Sequence, residues 1–381
     1  MNVAYDATQL LGFTGINVYT RNLTAALARA YPDDRYTMIT TFRKMVKVAG
    51  QFPPEDQEVI GWDNPLPNPL FLGYKGRPLA EWFIRFCFRY QARRYDLLHT
   101  TDPYHFPSGI ENIAVTVHDI IPLYPEGWVH PTTRARIQGK LESIVRSRAI
   151  IFVPSHFVRA ELLRTFDMHP DRIVVTHEAA ASCFRVLPQG RNDLSTHGIL
   201  KEDSFFLYVG RIDVRKNIER MVEAYLALPE EITRTVKLVL IANGFPEEER
   251  RFSDSLLMHP NIIHLRNVRD EDLVKLLNRA LGLAFVSLSE GFGIPILEAM
   301  QCGCPVLTSN VSSMPEIAED AALLIDPYDV AAIRDALLKL ATEPILREQL
   351  KTKGIERANA FSWDRCARET HAGYELALGR I

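Results

Sequence analysis

Little in this chain of 381 residues runs to an extreme, and each scarcity removes a class of protein. No apolar run approaches the ~20 residues that a membrane-spanning helix needs. The start, Met1-Asn2-Val3-Ala4-Tyr5-Asp6, passes straight into a strand-like pattern without the basic and apolar regions of a leader, so a cytoplasmic protein is expected. Cysteine is scarce: five residues, an odd number, with no CxxC pair, which fits reduced thiols and not a disulfide framework. Cys302 and Cys304 flank Gly303, yet no His or second Cys pair follows at zinc spacing, and no metal is expected. An excess of one charge is also lacking. The formal net charge is −3, with Lys and Arg outnumbering Asp and Glu by 22 to 19 in residues 1–200 and outnumbered 22 to 28 beyond. That argues against nucleic-acid binding and leaves room for a local basic surface on the first half.

What is present is a soluble globular composition, 47% hydrophobic and 24% charged, in a chain long enough for two domains. Apolar strand-like runs alternate with helical periodicity from one end to the other, interrupted where polar, Pro- and Gly-containing residues take over around 187–202. Strands separated by helices require parallel crossovers, so two doubly wound α/β halves with an intervening cleft are expected. Their limits are set at 1–187 and 188–362, followed by a last helical segment, 363–381, that comes after the second sheet is complete.

In the first half, Val3–Asp6 is followed by a glycine loop with Gly12 and Gly15, and then by a helical pattern to Arg29. The GxGxxG fingerprint is absent, so a dinucleotide reading is weak; either the glycines only permit the turn, or the helix start near Gly15 approaches a phosphate or sugar. A proline-rich stretch from 43 to 78 reads as a long loop. It leads into a helix over 79–94 with aromatics on one side and Arg85, Arg89 and Arg93 at successive turns. Such a helix can lie on an anionic membrane surface, or pack its aromatics on its own sheet and leave the arginines in water. His118 and Asp119 stand where a buried strand gives way to a proline-rich loop, the place where open α/β sheets bind ligands.

In the second half, a strand over 205–209 ends in Gly210-Arg211-Ile212-Asp213-Val214-Arg215-Lys216-Asn217. Arg211 offers a planar fork and Lys216 a point charge, both suited to phosphate oxygens, and Asn217 is a plausible N-cap for the next helix. Further on, Ser289-Glu290-Gly291-Phe292-Gly293-Ile294-Pro295-Ile296-Leu297-Glu298-Ala299-Met300 reads as strand end, glycine turn and helix, with Pro295 in the first helical turn. Side chains tilt toward a helix N-terminus, so Glu298 leans back toward the turn that carries Glu290. Two carboxylates and several backbone N–H groups then meet at one sheet edge, a combination suited to a ligand with hydroxyls and phosphate.

These blocks, with Gly-Cys-Pro-Val-Leu-Thr-Ser at 303–309 and Pro-Glu-Ile-Ala-Glu-Asp-Ala-Ala at 315–322, resemble the group 1 (family 4) retaining glycosyltransferases of the GT-B fold. The glycine loop and Val-His-Asp-Ile-Ile-Pro-Leu at 117–123 extend the resemblance over nearly the whole chain. It implies a hexosyltransferase using a nucleotide diphosphate sugar, GDP-mannose or a UDP-hexose such as UDP-glucose, as co-substrate, with no cofactor and no metal. The acceptor is then a glycan or lipid-linked glycan of cell-surface polysaccharide. Arg211 and Lys216 would hold the diphosphate and Glu298 the ribose. Glu290, with the backbone of Gly291, Phe292 and Gly293, would hold the donor sugar, and Val268 and Leu273 would edge the base. Gly15, on the donor, and His118, orienting the sugar and not acting as base, would come from the first domain and close over the reacting bond, with the acceptor entering from that side, and segment 363–381 would return to that domain. Competing readings on the same architecture are an epimerase or phosphorylase, and a non-catalytic nucleotide-sugar-binding module.

Overall fold

The structure is a computed structural model that describes residues 1–6, 15–41, 60–66, 93–107, 109–188, 190, 193–199, 202–244 and 259–380. The chain forms two compact units: Met1–Glu178 together with Ser362–Ile381, and Ala179–Phe361. The division expected at 187/188 thus falls at 178/179. The reason is local: Leu187 donates its N–H to Asn278 Oδ1 at 2.7 Å and Asn278 Nδ2 donates to the Arg185 carbonyl at 2.9 Å, so the segment belongs to the second unit.

The first unit holds a seven-stranded parallel sheet built from β1 (Asn2–Asp6), β2 (Arg35–Thr41), β3 (Ile60–Leu66), β4 (Leu97–Thr100), β5 (Ile113–Thr116), β6 (Ile150–Val153) and β7 (Ile173–Val175). Their spatial order is β3-β2-β1-β4-β5-β6-β7. The order reverses beside β1, the place where doubly wound sheets open a crevice at the strands' carboxyl ends. β4 and β5 are buried along their whole length, which is why they read as unbroken apolar runs and not as alternation. β3 lies inside the stretch expected to be loop; the helix expected over 79–94 falls, up to residue 92, outside the described residues.

The last helix, Trp363–Ala377, packs within this first unit, where it lies against the helix Gly15–Ala30 and strand β6. Gly373 makes the close approach possible: a Cβ there would stand 2.7 Å from Phe152 Cζ. Tyr374 next to it enters a buried polar chain. Its hydroxyl meets that of Tyr5 and lies 2.7 Å from His99 Nδ1; His99 Nε2 and the Tyr19 hydroxyl share Thr116 Oγ1 at 2.8 and 3.0 Å. Every link is an exchange of one buried polar group for another, which offsets the cost of placing them in the core.

The second unit holds a six-stranded parallel sheet of β8 (Ser204–Arg211), β9 (Val236–Asn243), β10 (Ile262–Leu265), β11 (Gly282–Phe285), β12 (Val306–Ser309) and β13 (Leu323–Ile325), in the order β10-β9-β8-β11-β12-β13. The reversal lies between β8 and β11, the two strands that precede the cationic and the glutamate motifs. One helix, Pro344–Ala358, lies outside the expected pattern, because its residues are mostly charged or polar and only Leu350, Gly354 and Ala358 are buried. The four cysteines among the described residues are free thiols.

Candidate active site

The cationic motif is shaped by one tight turn. After β8 the chain makes a 3-10 turn over Val214–Lys216, capped by Asp213, whose Oδ1 accepts the Arg215 N–H at 2.9 Å. Asn217 ends it at φ 58, a left-handed conformation that asparagine tolerates better than most residues. Its side chain does not cap the following helix as expected. From that backbone it donates to the carbonyls of Val286 at 3.0 Å and Pro327 at 2.7 Å, tying the turn to two neighbouring segments.

The turn delivers two successive cations to one carboxylate. Lys216 Nζ donates to Glu290 Oε1 at 2.5 Å; Arg215 Nη1 donates to Glu290 Oε2 at 2.9 Å and to the Ser289 carbonyl at 2.7 Å. The Leu288 N–H donates to the Arg215 carbonyl at 2.8 Å, so backbone as well as side chain fixes the register. Glu290 is 8% exposed. Burial alone would raise its pKa, but Lys216 and Arg215 outweigh it and hold the carboxyl down at about 2. Burial also takes the Lys216 ammonium below its usual range, against the pull of Glu290.

The glycine turn is held from outside. Ser313 Oγ donates to the carbonyls of Glu290 at 2.9 Å and Phe292 at 2.8 Å, while the Glu290 N–H donates to Ser312 Oγ at 3.1 Å. Gly293 has φ 111, which a side chain would not tolerate, and it opens the helix Ile294–Gln301 without any side-chain cap. An uncapped helix start at a strand end is suited to an anion.

Glu298, in the second turn of that helix, is half-buried, and its carboxylate has no hydrogen-bond or ion-pair partner among the described residues. Burial, with a smaller push from Asp270, raises its pKa to about 8. Asp270 opens the helix Asp270–Arg279, which carries the buried Leu273; Val268 lies half-buried in the loop just before it. The structure therefore brings Lys216, Glu290, Gly291, Phe292, Gly293 and Glu298 to the switch point of the second sheet. Arg211 stands exposed at the end of β8, and the cation next to Lys216 on Glu290 is Arg215. Spacing along the chain cannot separate these two arginines; only the 3-10 turn does.

In the first unit, Gly15 begins the helix Gly15–Ala30, and Tyr19 one turn on meets the His118 ring edge-on, with centroids 4.8 Å apart. Gly12 lies outside the described residues. His118 follows β5 with both ring nitrogens engaged: Nδ1 is 3.2 Å from Glu178 Oε1 and Nε2 is 3.1 Å from the Thr101 carbonyl. Burial opposes its charge, but Glu178, aided by Asp102 and Asp119, prevails and raises its pKa. Asp119 accepts the Ile121 N–H at 3.1 Å and so shapes its own loop. Glu178 carries no motif and ends the first of the two segments that make up the first unit; its only signal in the sequence is a carboxylate just past the end of a strand.

Two parallel sheets, each with its switch point at a cluster of charged residues, define an α/β fold of the GT-B kind. Comparison with known proteins agrees on both halves. Residues 191–357 match the family model for glycosyl transferases group 1, and residues 13–179 match that for glycosyltransferase family 4. The chain is 36% identical over 296 residues to O-antigen chain mannosyltransferase B of Escherichia coli, covering 74% of each chain. It is 32% identical over 272 residues to serotype-specific mannosyltransferase WbdA of Escherichia coli, covering 68% of this chain and only 33% of WbdA. Among solved structures, sucrose-phosphate synthase from Thermosynechococcus elongatus superposes with a TM-score of 0.78 at 21% identity, over 100% of both chains. The chain belongs to the group 1 glycosyltransferases.

Proposed function

We propose that the chain is a retaining hexosyltransferase that moves mannose from GDP-mannose to a glycan or lipid-linked glycan in cell-surface polysaccharide synthesis, without a metal. A UDP-hexose such as UDP-glucose is the alternative donor. The observation that carries the reading is the convergence of Arg215 and Lys216 on Glu290 at the start of a helix whose Glu298 carboxylate has no hydrogen-bond or ion-pair partner among the described residues. The names of the two Escherichia coli relatives favour mannose as the sugar.

In this reading the donor diphosphate draws Lys216 off Glu290 and also meets Arg211 and the N–H groups of the helix start. Arg215 keeps its hold on Glu290, whose carboxylate accepts donor-sugar hydroxyls. Glu298 accepts the ribose hydroxyls, and Val268 and Leu273 edge the base. As the bond from the anomeric carbon to the phosphate oxygen breaks, the electron pair leaves with the phosphate, where fixed cations stabilise it. The acceptor hydroxyl attacks from the same face and gives its proton to that leaving oxygen, so no separate base is needed. Gly15 serves the donor and His118 orients the sugar. Segment 79–94 supplies a peripheral membrane contact, which replacing Arg85, Arg89 and Arg93 with Glu tests by loss of binding to anionic vesicles.

The deciding experiment measures thermal stabilisation by GDP and UDP, then turnover of their sugars with excess EDTA. GDP-mannose turnover with a retained anomeric centre in the product is expected. Glu290→Ala, Lys216→Ala and Arg211→Ala each reduce turnover by about two orders of magnitude or more. Near-normal rates in all three sink the assignment; dependence on inorganic phosphate points to a phosphorylase, and binding without turnover to a binding module.

A further inference from the structure

The surroundings of His118 specify more than its place. Its two ring nitrogens face a carboxylate oxygen of Glu178 and the carbonyl oxygen of Thr101, at 3.2 and 3.1 Å. A carbonyl only accepts, and an ionised carboxylate only accepts, so both contacts are hydrogen bonds only when both nitrogens carry a proton. We propose that Glu178 is a positioning residue that, with the Thr101 carbonyl, keeps His118 as a doubly donating imidazolium. This rests on the reading above that His118 orients the sugar in a sugar-transfer site.

The neighbours agree with that charge state. Glu178 is 4% exposed, so a carboxylate there is without solvent and needs a cation close by. Asp102 and Asp119 add negative potential, Tyr19 presents a ring edge, and Glu178 makes the direct contact. The other histidine of this region behaves oppositely. His99 is fully buried between Tyr374 and Thr116, two hydroxyls that satisfy a neutral ring; burial, and then the charge on His118, push its pKa down to about 3. One neutral and one charged imidazole therefore sit on the two strands β4 and β5 and the loop that follows.

Two consequences separate this from a merely structural pair. A doubly donating His118 has no lone pair with which to take a proton, so it acts by orientation and charge and not as a base. Its ionisation is tied to Glu178, so replacing the carboxylate with an amide of the same shape changes the protonation of a different residue.

The test is 15N NMR of the full chain with labelled histidine, using His118→Gln to assign the signal. In the wild-type protein, the His118 midpoint lies above the ordinary value of about 6.5, with both nitrogens protonated below it. In Glu178→Gln the midpoint falls by about one unit or more, and the alkaline limb of the transfer pH profile, where His118 loses its proton, moves down with it. A wild-type midpoint at or below the ordinary value overturns the proposal, and that measurement holds even if the variant does not fold. An unchanged midpoint in a folded Glu178→Gln also overturns it. Protein that shows both midpoints but transfers no sugar upholds the pairing and overturns the functional reading instead.

Discussion

Lys216 Nζ and Glu290 Oε1 lie 2.5 Å apart, joining the turn after β8 to the segment after β11 across the switch point of the second sheet. The same carboxylate takes Arg215, so Glu290 balances two cations whose side chains are 13% and 19% exposed. Removing it strands both in a poorly solvated place. Glu290→Ala is expected to destabilise the protein by about 3 kcal/mol, as for other broken buried pairs. Arg211→Ala, at an exposed strand end, should change stability by less than about 0.5 kcal/mol. Urea unfolding of both variants checks this, and equal losses would show that Arg211 shares the structural burden.

How far the chain disclosed this in advance can be read from five residues. Lys216, Glu290 and Glu298 were legible because strand, turn and helix signals fix where a loop residue stands relative to a sheet edge. Their tasks were less so. Asn217 looks like an N-cap by residue type, but a left-handed backbone turns its side chain to Val286 and Pro327 instead. Glu178 was marked only as a carboxylate past a strand end, and its pairing was not legible, since its partner His118 is 60 positions away and is met only through the order of β5, β6 and β7.

The two glutamates titrate in opposite senses, and their pH windows do not overlap. Glu290 is held at about 2 in the folded protein against about 4.3 unfolded, so its contribution is complete above the unfolded value. It is lost as pH falls from ~4 toward 2. Glu298 is raised to about 8, so the folded state binds the proton more tightly and stability declines as pH rises between ~4.3 and 8. Glu298→Gln is expected to match wild type near pH 4.5 and to exceed it by roughly 1 kcal/mol at pH 8, a figure discounted for partial solvent exposure. In the same variant, stabilisation by the nucleoside diphosphate should vanish. Melting curves across pH, with and without nucleotide, measure both.

Tyr374 is the hinge of the polar chain beneath the last helix, since its hydroxyl serves both Tyr5 and His99 Nδ1. Tyr374→Phe keeps the ring packing against Phe152, at 5.7 Å between centroids, and leaves two buried polar groups short of a partner. The expected cost is about 2 kcal/mol. Changing Tyr5 to Phe as well should cost less than the two single changes added together, because one of the orphaned groups is then gone. A double-mutant cycle from denaturant midpoints decides it.

Gly373 sets local propensity against packing. In an exposed helix interior, Ala is favoured over Gly by about 1 kcal/mol, so propensity alone predicts that Gly373→Ala stabilises. Here a Cβ meets the ring of Phe152, 2.7 Å from Cζ and closer still to Cε1, on a strand that is buried throughout. Phe152 is itself fully buried and cannot swing aside without disturbing His99 and Tyr374, which touch it edge-on or tilted. Overpacking of this kind costs about 1 to 3 kcal/mol beyond any gain in propensity. Net destabilisation is therefore expected, along with faster amide exchange in 363–377, because relief comes from lifting the helix off β6. A more stable Gly373→Ala, or one whose exchange is unchanged in that segment, would show that the helix is not seated by this contact.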